Sequence, residues 1–361
     1  MKRNTTGKGG TSMRMAAAVA VWALLGGLSL PAATIVWSGS STTSGNWSTG
    51  ANWAGTAPGS ADIADFTGAG ANGWGGASSP IVVDTPSQAL SSAFFDTNAG
   101  SYTIGTTGGN AFQLTNAGSI QIRSGIVGTV TETVNAPLVL GSGTGAIGYS
   151  FVNASTNAAT TLVIGGQISG GTTGTATLTL DGVNTGNNVV SGNLVNGNSA
   201  SFAVLKKGVG TWTLAGTGNT YTSASAATAT TIADGTLRLG ANNALSSGGL
   251  TIYETTAGTA ATFDLNGYNQ TLSSLTFGAT STTAVAGATY RVTGAGSTLT
   301  LNGNVGFTSG TNAATGATIS VDTLDLGGAA RSFTTLTGFS IAVSSVVQNG
   351  TLTKTGTGLL T

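Results

Sequence analysis

The stretch "KKGVGTWTLAGTGNTYT" at residues 206–222 decides how the rest of the chain is interpreted. It combines a glycine-rich turn, a short strand with apolar residues at alternate positions, and a second turn around Asn219. Such alternation is typical of a strand with one buried face, because successive side chains point to opposite faces. The start of the stretch recurs in register at 354–361 as "KTGTGLLT". The stretch therefore predicts a repeating unit of short strands and turns.

A short apolar strand followed by a glycine turn recurs from Pro137 onward. The copies are LVLG at 138–141, LVIGG at 162–166, LTLDG at 178–182, WTLAG at 212–216, LRLG at 237–240, FDLNG at 263–267, LTLNG at 299–303 and LDLGG at 324–328. Four of the seven intervals between their last apolar residues are 24–26 residues long. The intervals of 34 and 36 correspond either to single coils with outward loops or to one and a half coils.

Sequence self-similarity near a fixed period is typical of solenoids, in which each coil buries its inward face by stacking on the next. We therefore predict an all-β fold, a parallel β-helix with an N-terminal capping region. A β-sandwich-like stack of small antiparallel sheets is the alternative, because the spacing is irregular. Frequent Gly and β-branched Thr argue against helices after residue 33.

Composition restricts the chemistry that the protein can perform. The chain of 361 residues has 59 Gly, only 6% charged residues and a mean hydropathy of +0.24, which is the balance of a folded protein. It contains no Cys and no His. Their absence excludes disulfides, Ser-His-Asp and Cys-His hydrolases, and ordinary zinc sites.

The N-terminus has the pattern of a secretory signal peptide. Four basic residues precede the uncharged run "MAAAVAVWALLGGLSL" at 15–30, which is followed by small residues. This pattern predicts export by the Sec pathway, with cleavage after Ala33. Cleavage leaves 7 basic and 11 acidic residues, so we expect no binding to nucleic acid. Since cleavage also removes the apolar run, we expect no stable membrane insertion of the mature chain.

The chain divides by composition into a signal peptide (1–33), a β-rich capping region (34–136) and a β-solenoid (137–361). All five prolines lie in the first 137 residues, and four of the six Trp residues lie between residues 34 and 137. An incomplete repeat begins at about residue 352, and it predicts that the chain is a fragment truncated at its C-terminus.

Residues 204–240 resemble the autotransporter-associated β-strand repeat, also called the passenger-associated transport repeat. In that family a Lys-x-Gly-x-Gly turn precedes an apolar-Thr-Leu strand, a Gly-x-Asn-Thr-Tyr turn and a Gly-Thr-Leu segment. The resemblance is carried chiefly by Lys206, Gly208, Gly210, Trp212, Leu214, Asn219, Tyr221, Gly235 and Leu237. The usual Gly after Tyr-Thr is missing, because "SASAATA" follows Thr222. The resemblance implies a right-handed parallel β-helix, secretion or surface display, and no shared enzymatic activity.

Candidate site residues are few. The acids are scattered, and the close pairs Asp62/Asp65 and Asp322/Asp325 are spaced by three, which on a strand places them on opposite faces. Trp47 and Trp53 are the best candidates for glycan contact, but the favoured interpretation is that they pack as a cap over the open end of the solenoid. We expect no catalytic residues, cofactor or metal.

These observations predict an exported structural or surface-displayed β-solenoid with a role in adhesion and no catalytic activity. The expected location is extracellular or at the cell surface, associated with the outer membrane. Extracellular glycans and other cell-surface components are the expected partners. The alternative is a carbohydrate-binding module, or a degenerate polysaccharide lyase on a β-helix.

Overall fold

The computed structural model describes residues 32–361 except 116, 142, 224–228, 257, 279–287 and 309–315. The predicted signal peptide therefore lies almost wholly outside the described residues. Regular structure in the described part consists of β-strands and two short 3-10 turns, at Gly50–Trp53 and Ala71–Gly73.

The strands form three parallel stacks, each adding about one strand per coil. The first stack contains β1 (Thr34–Val36), β2 (Ile63–Phe66), β4 (Ser92–Phe95), β7 (Ser119–Ile122), β10 (Ala146–Asn153), β13 (Thr175–Gly182), β16 (Ser201–Lys206), β18 (Thr230–Ile232), β20 (Leu250–Ile252), β23 (Leu275–Phe277) and β25 (Val305–Phe307). The second contains β5 (Thr103–Ile104), β8 (Thr131–Val134), β11 (Thr161–Ile164), β14 (Asn188–Val190), β17 (Thr211–Leu214), β19 (Gly235–Leu239), β21 (Ala260–Asp264), β27 (Ser340–Val343) and β29 (Leu359–Leu360).

The third stack contains β3 (Gln88–Leu90), β6 (Phe112–Leu114), β9 (Leu138–Leu140), β12 (Ile168–Gly170) and β15 (Leu194–Val195). Later in the chain, β22 (Gln270–Leu272) pairs with residues 299–301 of the following coil. Towards the C-terminus, longer strands continue around the corners between stacks. They are β24 (Thr289–Leu301), β26 (Gly316–Thr335) and β28 (Val346–Gly356).

Every strand pairing between described residues is parallel, and residues in register come from successive coils. The arrangement is a β-solenoid of about 11 turns. It confirms the all-β parallel fold and excludes the antiparallel sandwich alternative. The same stacking begins at Thr34, which lies in register with Ile63, so it includes the region 34–136.

The core is built from the leucine pattern of the sequence. The last apolar residue of each copy is at most 1% exposed: Leu140, Ile164, Leu180, Leu214, Leu239, Leu265, Leu301 and Leu326. Fully burying one such side chain stabilises a fold by about 1.5–3 kcal/mol. The pattern therefore supplies the continuous hydrophobic core that single coils lack.

The two long intervals have a geometric cause. Leu180 lies in the first stack in register with Lys206, whereas Leu214 lies in the second stack in register with Val190. The interval from 180 to 214 therefore spans one full coil and one further side of the next. The interval from 265 to 301 likewise exceeds one coil, because Leu301 is in register with Leu272.

Candidate functional site

Lys206 is the lysine of the repeat motif, and it occupies a position that apolar residues fill in neighbouring coils. It lies in register with Leu180 on one side and Ile232 on the other. Its side chain is fully buried. The Nζ atom donates to the carbonyl oxygens of Lys207 at 2.8 Å, Gly208 at 2.6 Å and Asp234 at 3.1 Å. The three protons of an ammonium group therefore have three acceptors, one of them on the next coil.

Burial lowers the pKa of Lys206 from 10.5 to about 7, while the charges of Asp181 and Asp234 act in the opposite direction. A lysine of this kind has the proton affinity of a general base. Its amine is nonetheless enclosed by backbone carbonyls and has no exposed surface. The arrangement favours a clamp between coils over a catalytic amine.

The glycines of the motif surround this lysine because no other residue fits. Gly208 has φ +67° and Gly235 has φ +66°, a region that L side chains rarely adopt. A Cβ atom at Gly235 would lie 2.8 Å from Lys206 Nζ, and one at Gly210 would lie 2.8 Å from the carbonyl oxygen of Gly182. The glycines of the Lys-x-Gly-x-Gly turn and Gly235 thus let the preceding and the following coil stack closely at the Lys206 corner.

Trp212, Leu214 and Leu237 form the apolar wall beside the clamp. All three are at most 1% exposed, and Trp212 lies in register with Leu237. The indole Nε1 of Trp212 donates to the carbonyl oxygen of Asp181 at 2.9 Å. The motif tryptophan therefore fills the core and also binds the preceding coil.

Asn219 and Tyr221 perform the same task at the next turn. The Oδ1 atom of Asn219 accepts from the amide of Leu194 at 2.7 Å, and its Nδ2 donates to the carbonyl oxygen of Ala244 at 2.6 Å. The buried Tyr221 hydroxyl lies 2.6 Å from Thr230 Oγ1, and burial raises its pKa. Asn219 thus connects the coil before it with the coil after it.

The structure brings the nine motif residues to one segment of the solenoid, where those with polar side chains bond to neighbouring coils. The two other candidates, Trp47 and Trp53, lie far from the motif in the sequence, near the N-terminal end of the solenoid. Their side chains are 0% and 2% exposed, and their ring centroids are 4.6 Å apart in an edge-to-face arrangement. Neither ring presents a face to solvent, so the glycan-contact interpretation finds no support here. The packing is that expected of a cap.

Asp234 has a structural role that the sequence interpretation missed. Asp before Gly is expected in turns for local reasons. Its carboxylate is instead buried and accepts from the amides of Thr255 at 3.0 Å and Thr256 at 3.2 Å, and from Thr259 Oγ1 at 2.8 Å. Asp234 therefore anchors the loop of the following coil while its carbonyl oxygen binds Lys206.

Glu132 is a second buried group that the sequence interpretation missed. Its Oε2 atom accepts from the amide of Tyr102 at 2.8 Å, and its Oε1 atom has no partner among the described residues. Burial raises the pKa of this carboxyl group from 4.5 to about 8. Its position could have been inferred from "TETV" at 131–134, because Glu132 shares strand parity with the inward Val134.

The described residues hold no group of three or more His, Cys, Asp or Glu side chains placed to bind a metal ion. In the described part of the chain, no helix has the length and apolar character needed to cross a membrane.

Asp325 belongs to the closely spaced pair Asp322/Asp325. Its carboxylate accepts from the amide of Gly327 at 2.7 Å and from Asn349 Nδ2 at 2.9 Å, which identifies it as a turn residue.

A groove of about 480 Å³ runs along the solenoid just after the carboxyl ends of five successive second-stack strands, β5, β8, β11, β14 and β17. We call it the polar groove. Its lining residues are Thr107, Gly108, Pro137, Gly165, Gln167, Ser191, Gly192, Asn193, Ala215 and Thr217. None of them is ionisable or aromatic.

The comparisons with known proteins gave no match: no protein family, curated protein or solved structure shows significant similarity to this chain.

Proposed function

We propose that the protein is an exported β-solenoid that acts as a structural or surface-displayed element with a role in adhesion, and that it catalyses no reaction. The observation that carries the proposal is the use of the motif residues. The polar side-chain atoms of Lys206 and Asn219 form hydrogen bonds with backbone carbonyl and amide groups of their own and neighbouring coils. Such a network holds stacked coils in a fixed register, which is what a rigid extended element requires.

The sequence resemblance to passenger repeats supports the exported setting of this proposal. The residues that carry the resemblance are those that close the Lys206 corner and the Asn219 turn. The neutral polar surface of Thr, Ser and Asn suits an extracellular scaffold. The apolar run at 15–30 with its basic residues supplies the export signal.

The enzymatic and carbohydrate-binding alternatives have unequal support. Glycosidases need a pair of carboxyl groups that flank the scissile bond, and polysaccharide lyases on a β-helix use clustered carboxylates for Ca²⁺. Of the four buried acids among the described residues, Glu132, Asp234 and Glu254 instead accept hydrogen bonds from backbone amides, and the fourth is Asp65. Carbohydrate binding through Trp47 and Trp53 loses its basis because both rings are buried. The polar groove is the feature that favours carbohydrate binding.

Export is tested by expressing the full chain with a C-terminal epitope tag in a Gram-negative host. We expect a mature N-terminus at Thr34, identified by mass spectrometry, and tagged protein outside the cytoplasm. The variant Leu24→Arg/Leu25→Arg interrupts the apolar run and should retain the uncleaved chain in the cytoplasm. The control Leu24→Ile/Leu25→Val keeps the run apolar and should be exported like the wild type.

Surface display is tested by adding protease to intact cells. Loss of the mature chain from intact cells supports display, whereas protection until the outer membrane is permeabilised argues against it. An unprocessed wild-type chain that remains in the cytoplasm would overturn the proposed function as a whole.

A further inference from the structure

We infer that the polar groove is a binding site for an uncharged, extended polysaccharide. The inference names a ligand class for the proposed role in adhesion, and in this respect it rests on the proposed function. The binding site itself is a property of the purified protein. A failure of export and a failure of binding are therefore distinguishable.

The groove is long because it crosses successive coils. The strand ends beside it belong to five coils that lie in register through Ile104, Val134, Ile164, Val190 and Leu214. Four spacings of about 4.8 Å give a length of roughly 19 Å. This is a track for a chain of several units rather than a pocket for one small molecule.

The floor of the groove is bare for a steric reason. A Cβ atom at Gly192 would collide with the carbonyl oxygen of Gly166 on the preceding coil, and one at Gly165 would collide with the side chain of Asn135. Ala215 continues the floor in register with Ser191 on the preceding coil. Close stacking of the coils therefore prevents side chains from filling the groove.

The sides of the groove carry hydrogen-bonding groups. Gln167 and Thr217 are exposed, and their side chains make no hydrogen bond to other described residues. Asn193 uses its Oδ1 atom to accept from the amide of Gly218 at 2.9 Å, while its Nδ2 group has no protein acceptor among the described residues. Pro137, Gln167 and Asn193 follow one another in register, one per coil. Gln167 and Asn193 thus present polar groups on two successive coils.

The chemistry of the lining identifies the ligand class. The ten lining residues carry no charge, so they offer no ion-pairing partner to uronate or amino-sugar groups. Amide and hydroxyl groups donate to and accept from sugar hydroxyls. Glycine and alanine on the floor leave room for a flat ring face to approach the backbone.

An extended peptide is a poorer fit. Peptides commonly bind by adding a strand to a free sheet edge or by placing apolar side chains in pockets. The strands beside the groove already pair with the coils on both sides, and the lining contains no large apolar side chain except Pro137. The backbone hydrogen bonds that would hold a peptide are therefore already used.

The test measures binding of the purified mature protein to soluble polysaccharides by native affinity electrophoresis and calorimetry. The probes are mixed-linkage β-glucan and galactomannan, which are neutral, together with polygalacturonate, chitosan oligosaccharide and a Gly-Ser-Asn-Thr peptide. The variant Gln167→Ala/Thr217→Ala removes two free polar groups from the groove. The control Gln121→Ala/Thr179→Ala removes the same residue types from outward positions of β7 and β13.

We expect at least one neutral polysaccharide to bind, and the groove variant to weaken that binding roughly tenfold or more while the control binds like the wild type. The matched control and an unchanged unfolding midpoint distinguish lost contacts from lost folding. The inference is overturned if neither neutral polysaccharide binds, if only the charged polymers or the peptide bind, or if both variants bind equally well.

Discussion

The buried carboxyl group of Glu132 should make the stability of the protein decrease as the pH rises. The folded state holds the proton up to a pKa of about 8, whereas the ordinary value is 4.5. Between these two values the folded protein binds more protons than the unfolded chain. The free energy of unfolding therefore falls with pH through this window, and the loss is complete above about pH 8.

The magnitude follows from the width of the window. Each pH unit between 4.5 and about 8 changes the stability by about 1.4 kcal/mol, so ionisation of Glu132 costs up to about 5 kcal/mol. Glu132→Gln keeps the shape of the side chain and an oxygen that accepts from the amide of Tyr102. The Gln side chain has no proton to lose in this pH range. We expect the variant to gain stability relative to the wild type as the pH rises.

The assay is urea unfolding followed by tryptophan fluorescence from about pH 5 to about pH 9, with wild type and variant measured side by side. Glu254 and Asp65, whose pKa values are also raised by burial, are present in both proteins. The difference between the two curves therefore isolates Glu132. Asp322→Asn is the control for loss of an exposed carboxylate. A difference between wild type and Glu132→Gln that stays constant with pH would refute this account of the group.

Two further predictions concern the Lys206 corner. Gly235→Ala combines a positive φ with contact against Lys206 Nζ and the carbonyl oxygen of Gly210, so we expect a loss of roughly 2–4 kcal/mol in urea unfolding. Gly267→Ala, at φ +85° but with open space around the new Cβ, should cost only about 1 kcal/mol, and equal losses would contradict the steric argument. Lys206→Met should abolish a rise in stability between pH 7 and 10.5, because the depressed pKa means that the folded wild type binds fewer protons than the unfolded chain in that window. Retention of the full rise in Lys206→Met would show that other groups cause it.

The apolar part of the fold could be predicted from the sequence because its signal is local. Alternation within a few residues identifies the inward side chain of each strand, and Leu180, Leu239 and Leu326 are buried as that pattern predicts. The pairing of strands is not local, since parallel partners lie a whole coil apart. The sequence therefore predicted the stacking while leaving the path of the two long intervals open.

The polar part of the core was less accessible to prediction because the role of a polar residue depends on the neighbouring coil. Asp234 has a local explanation as a turn residue, and nothing within its own turn indicates the three threonines that surround its carboxylate. Lys206 shares strand parity with Phe202 and Val204, so the sequence did contain a signal for its burial. Its acceptors became evident only when Gly235 and Asp234 of the next coil were placed beside it.

A common principle connects these buried polar groups with the polar groove. A parallel solenoid leaves unpaired amides and carbonyls at its corners, and an unpaired buried group costs about 1–3 kcal/mol. Glu132, Asn219 and Gln270 each supply a side-chain oxygen to such an amide on the preceding coil. At the corner beneath the polar groove, glycines instead let the coils approach so closely that side chains are excluded. The same demand for close stacking therefore produces a sealed interior at the Lys206 corner and an open, uncharged track at Gln167 and Asn193.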